Sequence, residues 1–453
     1  MSWCRPSARV IGRASFAVLV ALSWVATAPE ACAQFVTQQV GGVSIDAQGV
    51  VTNVRLDELN QLKLARQQAF QPVNGDLKGA ALRKVSLRQL EAAIAEHRKH
   101  GTPIPDEMRY LAGLQRIQYV FVYPQTNDIV LAGPGEGWKL NGQSEVVGAV
   151  TNRPVLLLDD LLVALRAIDA AQQSGITCSI DPTSEGLGRL QSLLKNVHQI
   201  DGDPEPIADD IRKSVGPQTI TVRGVPESSH FARVLVAADY RMKRLAMALD
   251  ESPIHGLPSF LQMMKGSGKG ARSLMPRWWL EPDYDAIVKD ADGLAWELPR
   301  GSVKAMTEEE FMAAGGQRVR SGQMNPLAKK WADNMTAHYE ELSTRDSIFG
   351  QLRNCMDLAV VAALISKEHL TEKCGWSMPL LMDAELPVES YFAPRQVDSQ
   401  TSLMQKGTNW IISVSGGVQL APWQMLDRTT AGANLEAPRE KAAAGHSGRW
   451  WWN

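Results

Sequence analysis

The feature that most constrains this chain is the stretch from Ser347 to about Lys367. It has the length of a helix but no polar face, and Leu358 to Ile365 is an unbroken apolar run. A helix that is apolar on all sides has to be enclosed, because its surface in water costs about 25 cal/mol per Å². The unbroken run is well short of the roughly 18 to 20 apolar residues that cross a bilayer, so it reads as a core helix. Enclosing it takes a large fold. The chain has 453 residues, 44% of them apolar, which is enough for two or three domains of about 150 residues.

The N-terminus carries a different signal. Arg5, Arg9 and Arg13 precede an apolar run from Phe16 to Ala28 that only Ser23 and Thr27 interrupt, and Ala31-Cys32-Ala33 follows. Basic flank, short apolar segment and small-x-small site together predict an export signal over residues 1–33, with Gln34 as the mature start. The expected location is therefore periplasmic or extracellular, with no transmembrane segment after cleavage. Lys plus Arg number 47 against 49 Asp plus Glu. That balance lacks the concentrated basic face that phosphate binding needs, so nucleic acid is not an expected partner.

Cleavage leaves Cys178, Cys355 and Cys374. An odd count in an oxidising compartment allows one internal bridge at most. Cys178 alternates with Ile176 and Ile180 and reads as a buried strand thiol. Cys355 and Cys374 are a possible disulfide. Twelve helical residues climb about 18 Å, and the seven after Lys367 reach about 25 Å when extended, so the bridge requires the chain to turn straight back.

Periodicity divides the rest. Residues 34–115 hold a small hairpin around Gln48-Gly49 and a helix opened by Ser86, with Gln89 three places on. Residues 116–262 read as strand, hairpin, then alternating strands and helices, hence α+β with a mixed sheet and helices on one face. Glycines across 263–275 mark a linker. Residues 276–425 read as an antiparallel meander and a helical region, in which Asn325 caps a helix with Pro326 at its first position. A last hairpin is expected from Trp410 to Leu420 around Gly416-Gly417. Residues 426–453, rich in small and polar types, read as a disordered tail.

Motifs with defined chemistry are few. Gly266-Ser267-Gly268-Lys269 lacks the earlier glycine and the following hydroxyl of a phosphate loop. Ser192 to Lys195 matches Ser-x-x-Lys without its Lys-Thr-Gly strand. His97 and His100 fall at a helix C-terminus, where cationic side chains are favourable, and Asp201 to Asp210 lack calcium-loop spacing. No metal and no cofactor is expected.

The helix from about Ser229 to Leu249 is the most distinctive segment. Phe231, Val234, Leu235, Ala238, Met242 and Leu245 form one apolar stripe, and Arg233, Tyr240 and Arg244 point the opposite way. His230 stands in the first turn. His230, Arg233, Tyr240 and Arg244 are thus the candidate binding residues. The alternative is a solvated outer face stitched by Asp239 and Lys243.

Tyr119 to Pro124, Ile129 to Pro134, Arg153 to Leu156 and the run from His230 to Arg244 resemble a planctomycete family of exported proteins of unknown function. The likeness is clearest from about Tyr119 to Leu257. It implies export and one architecture along the chain, and it carries no activity, cofactor or site. The expected function is that of an exported envelope or extracellular protein that binds a protein or envelope partner without catalysis. The alternative is a secreted hydrolase with a site near His230.

Overall fold

The computed structural model describes residues 39–53, 79–142, 145–196, 205–266, 275–299, 301–312, 318–320, 325–399, 401–406, 408–432, 435–443 and 452. The expected export signal and residues 267–274 of the expected linker lie outside them.

Alternation builds the larger sheet. Ile176, Cys178 and Ile180 are buried, and so are Ile220 and Val222, while Thr219, Thr221 and Arg223 face solvent. The two strands pair antiparallel with Cys178 opposite Val222. Across the sheet the order is Gln39–Val40, Val43–Ile45, Val50–Asn53, Gln396–Val397, Gln218–Arg223, Ile176–Asp181, Ser415–Leu420, Met275–Asp283, Ser302–Met312 and Arg318–Arg320. Two neighbour pairs are parallel, Gln396–Val397 with Val50–Asn53 and Ser415–Leu420 with Met275–Asp283, so the sheet is mixed.

A second sheet runs Thr430–Ala431, Val288–Lys289, Ala295–Glu297, Tyr119–Tyr123, Asp128–Gly135 and Ala80–Ser86. Val120, Phe121 and Val122 are all buried, as a central strand covered on both faces requires. The antiparallel strands expected after residue 275 form, and they are shared between the sheets. Met275–Asp283 pairs with Ser302–Met312 in the larger one, and Val288–Lys289 pairs with Ala295–Glu297 in the smaller. One core cluster unites residues on both sides of the 263–275 stretch. Together the sheets and helices make an α+β architecture.

Three helices organise the core: α1 (Leu158–Ala167), α2 (His230–Ala246) and α3 (Ser347–Lys367). Helix α2 lies on the larger sheet against Ile176–Asp181 and Ser415–Leu420, and α3 packs on α2 and on α1. By length and composition α3 could cross a membrane, yet 94% of its most apolar window is buried inside the protein. It is the enclosed core helix that its composition demands.

The outward face expected for α2 is corrected. Arg233, Asp239, Tyr240 and Lys243 are buried, and Arg244 is half-buried. The apolar stripe marks only the strongest face, whereas α2 is covered on both sides. Lys243 Nζ donates to the carbonyl of Ile180 and to Asp239 Oδ2, which gives the buried ammonium two acceptors.

Three further expectations change. The tail is not disordered where it is described: Glu436–Ala443 is helical, and Leu435 and Ala442 pack with Phe121, Val130 and Ala295. That outer face of the smaller sheet is apolar and needs a cover. Arg439 fastens the helix to Asp292, and Tyr123 donates to the Arg439 carbonyl. The expected last hairpin also differs: Thr401–Lys406 pairs with Thr408–Ser413, and Gly416 and Gly417 lie inside the next strand. A Cβ at Gly416 (φ +140°) would stand 1.6 Å from the Trp278 carbonyl oxygen, so close backbone approach places the glycines there, not a turn. Finally, Cys355 and Cys374 are not bridged. Both are buried free thiols, Cys355 in the middle of α3 and Cys374 at the end of the short helix Leu370–Cys374, where it donates to the Thr371 carbonyl.

A cleft at the N-terminus of the His230 helix

Ser229 sets the start of α2. Its hydroxyl accepts from the Ala232 N–H at 3.1 Å and donates to the Pro226 carbonyl at 2.7 Å. This N-cap fixes His230 as the first helical residue. Helix α1 begins beside it with two acids in its first turn. Asp160 turns inward, and its Oδ2 lies 2.9 Å from His230 Nδ1. Cys355 of α3 reaches the same oxygen at 3.9 Å. Three helices therefore converge on one carboxylate.

The pair is enclosed, with side chains 11% and 6% exposed for His230 and Asp160. Burial opposes a charged imidazole, but the Asp160 carboxylate outweighs it, and the His230 pKa is raised. Burial and the same carboxylate push the Cys355 thiol well up, which keeps it protonated and a poor nucleophile. With Nδ1 engaged, Nε2 is the ring nitrogen left for a ligand.

The chain after residue 387 straps across this end of α2. Glu389 N–H donates to Asp159 Oδ2 at 3.0 Å, and Tyr391 N–H donates to the Ser228 carbonyl at 2.8 Å. The Tyr391 ring stands 6.1 Å from that of His230, and the Arg233 guanidinium lies 4.7 Å from the Tyr391 centroid. Arg233 Nη2 donates to the Phe392 carbonyl at 3.0 Å. Burial pushes the Arg233 pKa down to about 10. Arg233 thus supports the strap from beneath.

These parts frame a cleft of 270 Å³, lined by Asp160, His230, Gln351, Asn354, Glu389 and Tyr391, among others. A neighbouring hollow of 690 Å³ shares Arg109, His230, Glu389 and Tyr391. Of the four expected binding residues, the structure brings His230 and Arg233 to this place through Tyr391. Tyr240 and Arg244 lie about 15 and 21 Å further along the helix axis. There Arg244 bonds Asp250 Oδ1 and Oδ2, both at 2.8 Å, and Tyr240 packs beside it.

Asp160, Gln351, Asn354, Glu389 and Tyr391 carry no sequence signal of a site. Asp160 reads as ordinary first-turn charge, Gln351 and Asn354 as polar breaks in an apolar helix, and the strap has no periodicity. His97 and His100 are bonded at their own helix end, to Thr102 Oγ1 and to the Glu96 carbonyl.

The fold and site define an α+β protein with a cleft where the N-termini of α1 and α2 meet the side of α3 around a histidine–carboxylate pair. Residues 178–260 match a family described as Protein of unknown function (DUF1598). No curated protein and no solved structure matches the chain. The matched segment contains His230, Arg233, Tyr240 and Arg244, whereas Asp160, Gln351, Asn354 and Tyr391 lie outside it.

Proposed function

We propose that this is an exported bacterial protein, periplasmic or extracellular and of the planctomycete kind it resembles, that binds a small ligand in the His230 cleft without transforming it. The observation that carries this reading is the Asp160–His230 pair, held by three helices at the wall of a cleft. Such a pair offers a ligand a fixed, chargeable hydrogen-bonding edge. Covalent catalysis needs in addition a nucleophile within reach of the base. Among the described residues, His230 hydrogen-bonds to Asp160 and to no serine, threonine or cysteine. The Ser229 hydroxyl is engaged in the cap, and the Cys355 thiol is held protonated.

Protein purified from its native compartment, then denatured, should release a small molecule detectable by mass spectrometry. Leu157→Trp, which fills the cleft, should release none. Identical extracts would overturn the binding reading. Hydrolysis of ester, amide or glycoside probes that disappears in His230→Ala would replace it with the hydrolase. N-terminal sequencing of the exported protein should begin at Gln34, and an intact Met1 would overturn the export reading.

A further inference from the structure

Every carboxylate that lines the cleft and the neighbouring hollow already has a partner. Asp160 holds His230. Asp159 accepts from the Glu389 N–H, and the Glu389 carboxylate takes the Tyr391 hydroxyl. Glu145 accepts from the Gly41 N–H, Asn141, Gln351 and the Ser347 hydroxyl, and Asp106 is engaged as well.

Two cationic donors are left over. His230 Nδ1 faces both oxygens of Asp160, at 3.1 and 2.9 Å, so a proton lies between them and the Nε2–H of the charged ring is a donor. Among the described residues Nε2 bonds to nothing. It is also not one of the polar atoms enclosed without a partner, so it opens into the two spaces that His230 lines. Arg109, exposed, lines the same two spaces. Its Nε donates to the Ile104 carbonyl at 3.1 Å, which fixes the plane of the guanidinium, and its Nη1 and Nη2 have no acceptor among the described residues. The larger hollow, of 690 Å³, falls within the roughly 300 to 1,000 Å³ of most small-molecule sites, and Ile94, Ile104, Leu157, Leu158, Leu386 and Val388 line it. Cationic donors beside an apolar hollow call for a ligand with an acceptor head and an apolar body. A carboxylate matches the planar guanidinium and accepts charge-assisted bonds from both groups.

We propose that the site binds a monocarboxylic acid with an apolar body, its carboxylate between Arg109 and His230 Nε2 and its body in the larger hollow. This rests on the reading of the cleft as a ligand site. Two sources share the chemistry, a medium-chain fatty acid and an arylalkanoic acid. Asp106 and Glu389 line the same cleft and oppose the charge of the head, which limits the affinity.

Calorimetric titration of the full mature chain distinguishes them, with octanoate, 3-phenylpropanoate, the amide of each, and acetate as probes. One of the two longer acids should bind about tenfold or more tightly than its amide, since hydrogen bonds to charged groups are the stronger kind. Acetate, which lacks the apolar body, should bind more weakly still. Which acid binds identifies the source. Arg109→Gln, at an exposed position, should weaken that acid about tenfold at an unchanged melting temperature, and His230→Gln should weaken it also. Glu389→Gln, which removes an opposing charge, should tighten it, and weakening there would overturn the proposal. Equal binding of acid and amide would overturn the carboxylate head and leave the cleft reading standing. Acetate binding as tightly as the longer acid would overturn the apolar body. Failure of every probe would overturn the proposal, while the released-molecule experiment separately decides the cleft reading. Acid binding that neither Arg109→Gln nor His230→Gln weakens would place the ligand elsewhere and overturn it too.

Discussion

His230 Nδ1 lies 2.9 Å from Asp160 Oδ2, joining the first residue of α2 to the first turn of α1 across 70 positions of chain. The carboxylate raises the His230 pKa against the opposing effect of burial. Between the unfolded value of about 6.5 and the raised folded value, the folded protein holds a proton that the unfolded chain has lost. The pair's contribution to stability is therefore complete below pH about 6.5 and disappears as pH rises through the folded value.

Urea unfolding of the wild type and His230→Gln at several pH values measures this contribution. The stability difference between the two should be larger at about pH 6 than at about pH 9. An equal difference at both would show that Asp160 does not hold the proton on His230.

Arg233 and Arg244 should behave differently although they share a helix. Arg233 is fully buried, lies over Tyr391 and donates to the Phe392 carbonyl. Arg233→Ala should cost about 2 to 4 kcal/mol through lost packing, a lost cation–π contact and an orphaned carbonyl. Arg244, half-buried beside Asp250, should cost about 1 kcal/mol or less when replaced by alanine. Denaturant melts of the two variants check the order, and equal costs would contradict it.

The buried Asp239–Lys243 pair lends itself to a double-mutant cycle. Burial pushes the Asp239 pKa up to about 6, against the pull of Lys243. Lys243→Met alone leaves the carboxylate without its partner and should cost about 3 to 5 kcal/mol. Adding Asp239→Leu should recover part of that loss, because two apolar side chains need no desolvation of charge. A double variant that loses the sum of both single costs would show that the two residues act independently.

Thiol counting tests the cysteines. The three at 178, 355 and 374 are buried and free. Chain beginning at Gln34 should show almost no reaction with a thiol reagent when native, and three thiols after unfolding without reductant. A count of one would restore the bridge between Cys355 and Cys374.

Two glycines give opposite outcomes on substitution. Gly416→Ala puts a methyl group 1.6 Å from the Trp278 carbonyl oxygen at a central strand pairing. It should cost more than about 3 kcal/mol or prevent folding. Gly188 lies in the helix Ser184–Asn196, with nothing within 4 Å of an added Cβ. Gly188→Ala should stabilise by about 0.5 to 1 kcal/mol. Thermal melts of the two variants separate these cases.

Local signals in the sequence correspond to local structure. Ser86 accepts from the Gln89 N–H, Ser229 from that of Ala232, and Asn325 from those of Leu327 and Ala328, each cap lying where a hydroxyl or amide precedes a helical pattern. Alternation at Ile176, Cys178 and Ile180 marks a strand, and the apolar run through Ile365 marks the enclosed helix. Each of these depends on neighbours within about four residues, because backbone angles, capping and side-chain facing are short-range properties.

Pairing and enclosure are different in kind. Nothing near Gly416 reveals that its strand lies between Ile176–Asp181 and Met275–Asp283, and nothing in the tail reveals the apolar face that Leu435 and Ala442 cover. The cleft is the extreme case, since Asp160, His230, Asn354 and Tyr391 come from three helices and an irregular strap. By itself the sequence determined the capped helices and the enclosed helix, the faces of the alternating strands, an α+β class and a histidine worth watching. Tertiary structure alone decided which carboxylate that histidine meets, which arginines lose water, and which donors of the cleft lack acceptors. Those outcomes depend on desolvation and on contacts between residues distant in the chain, and such contacts exist only once the core has closed.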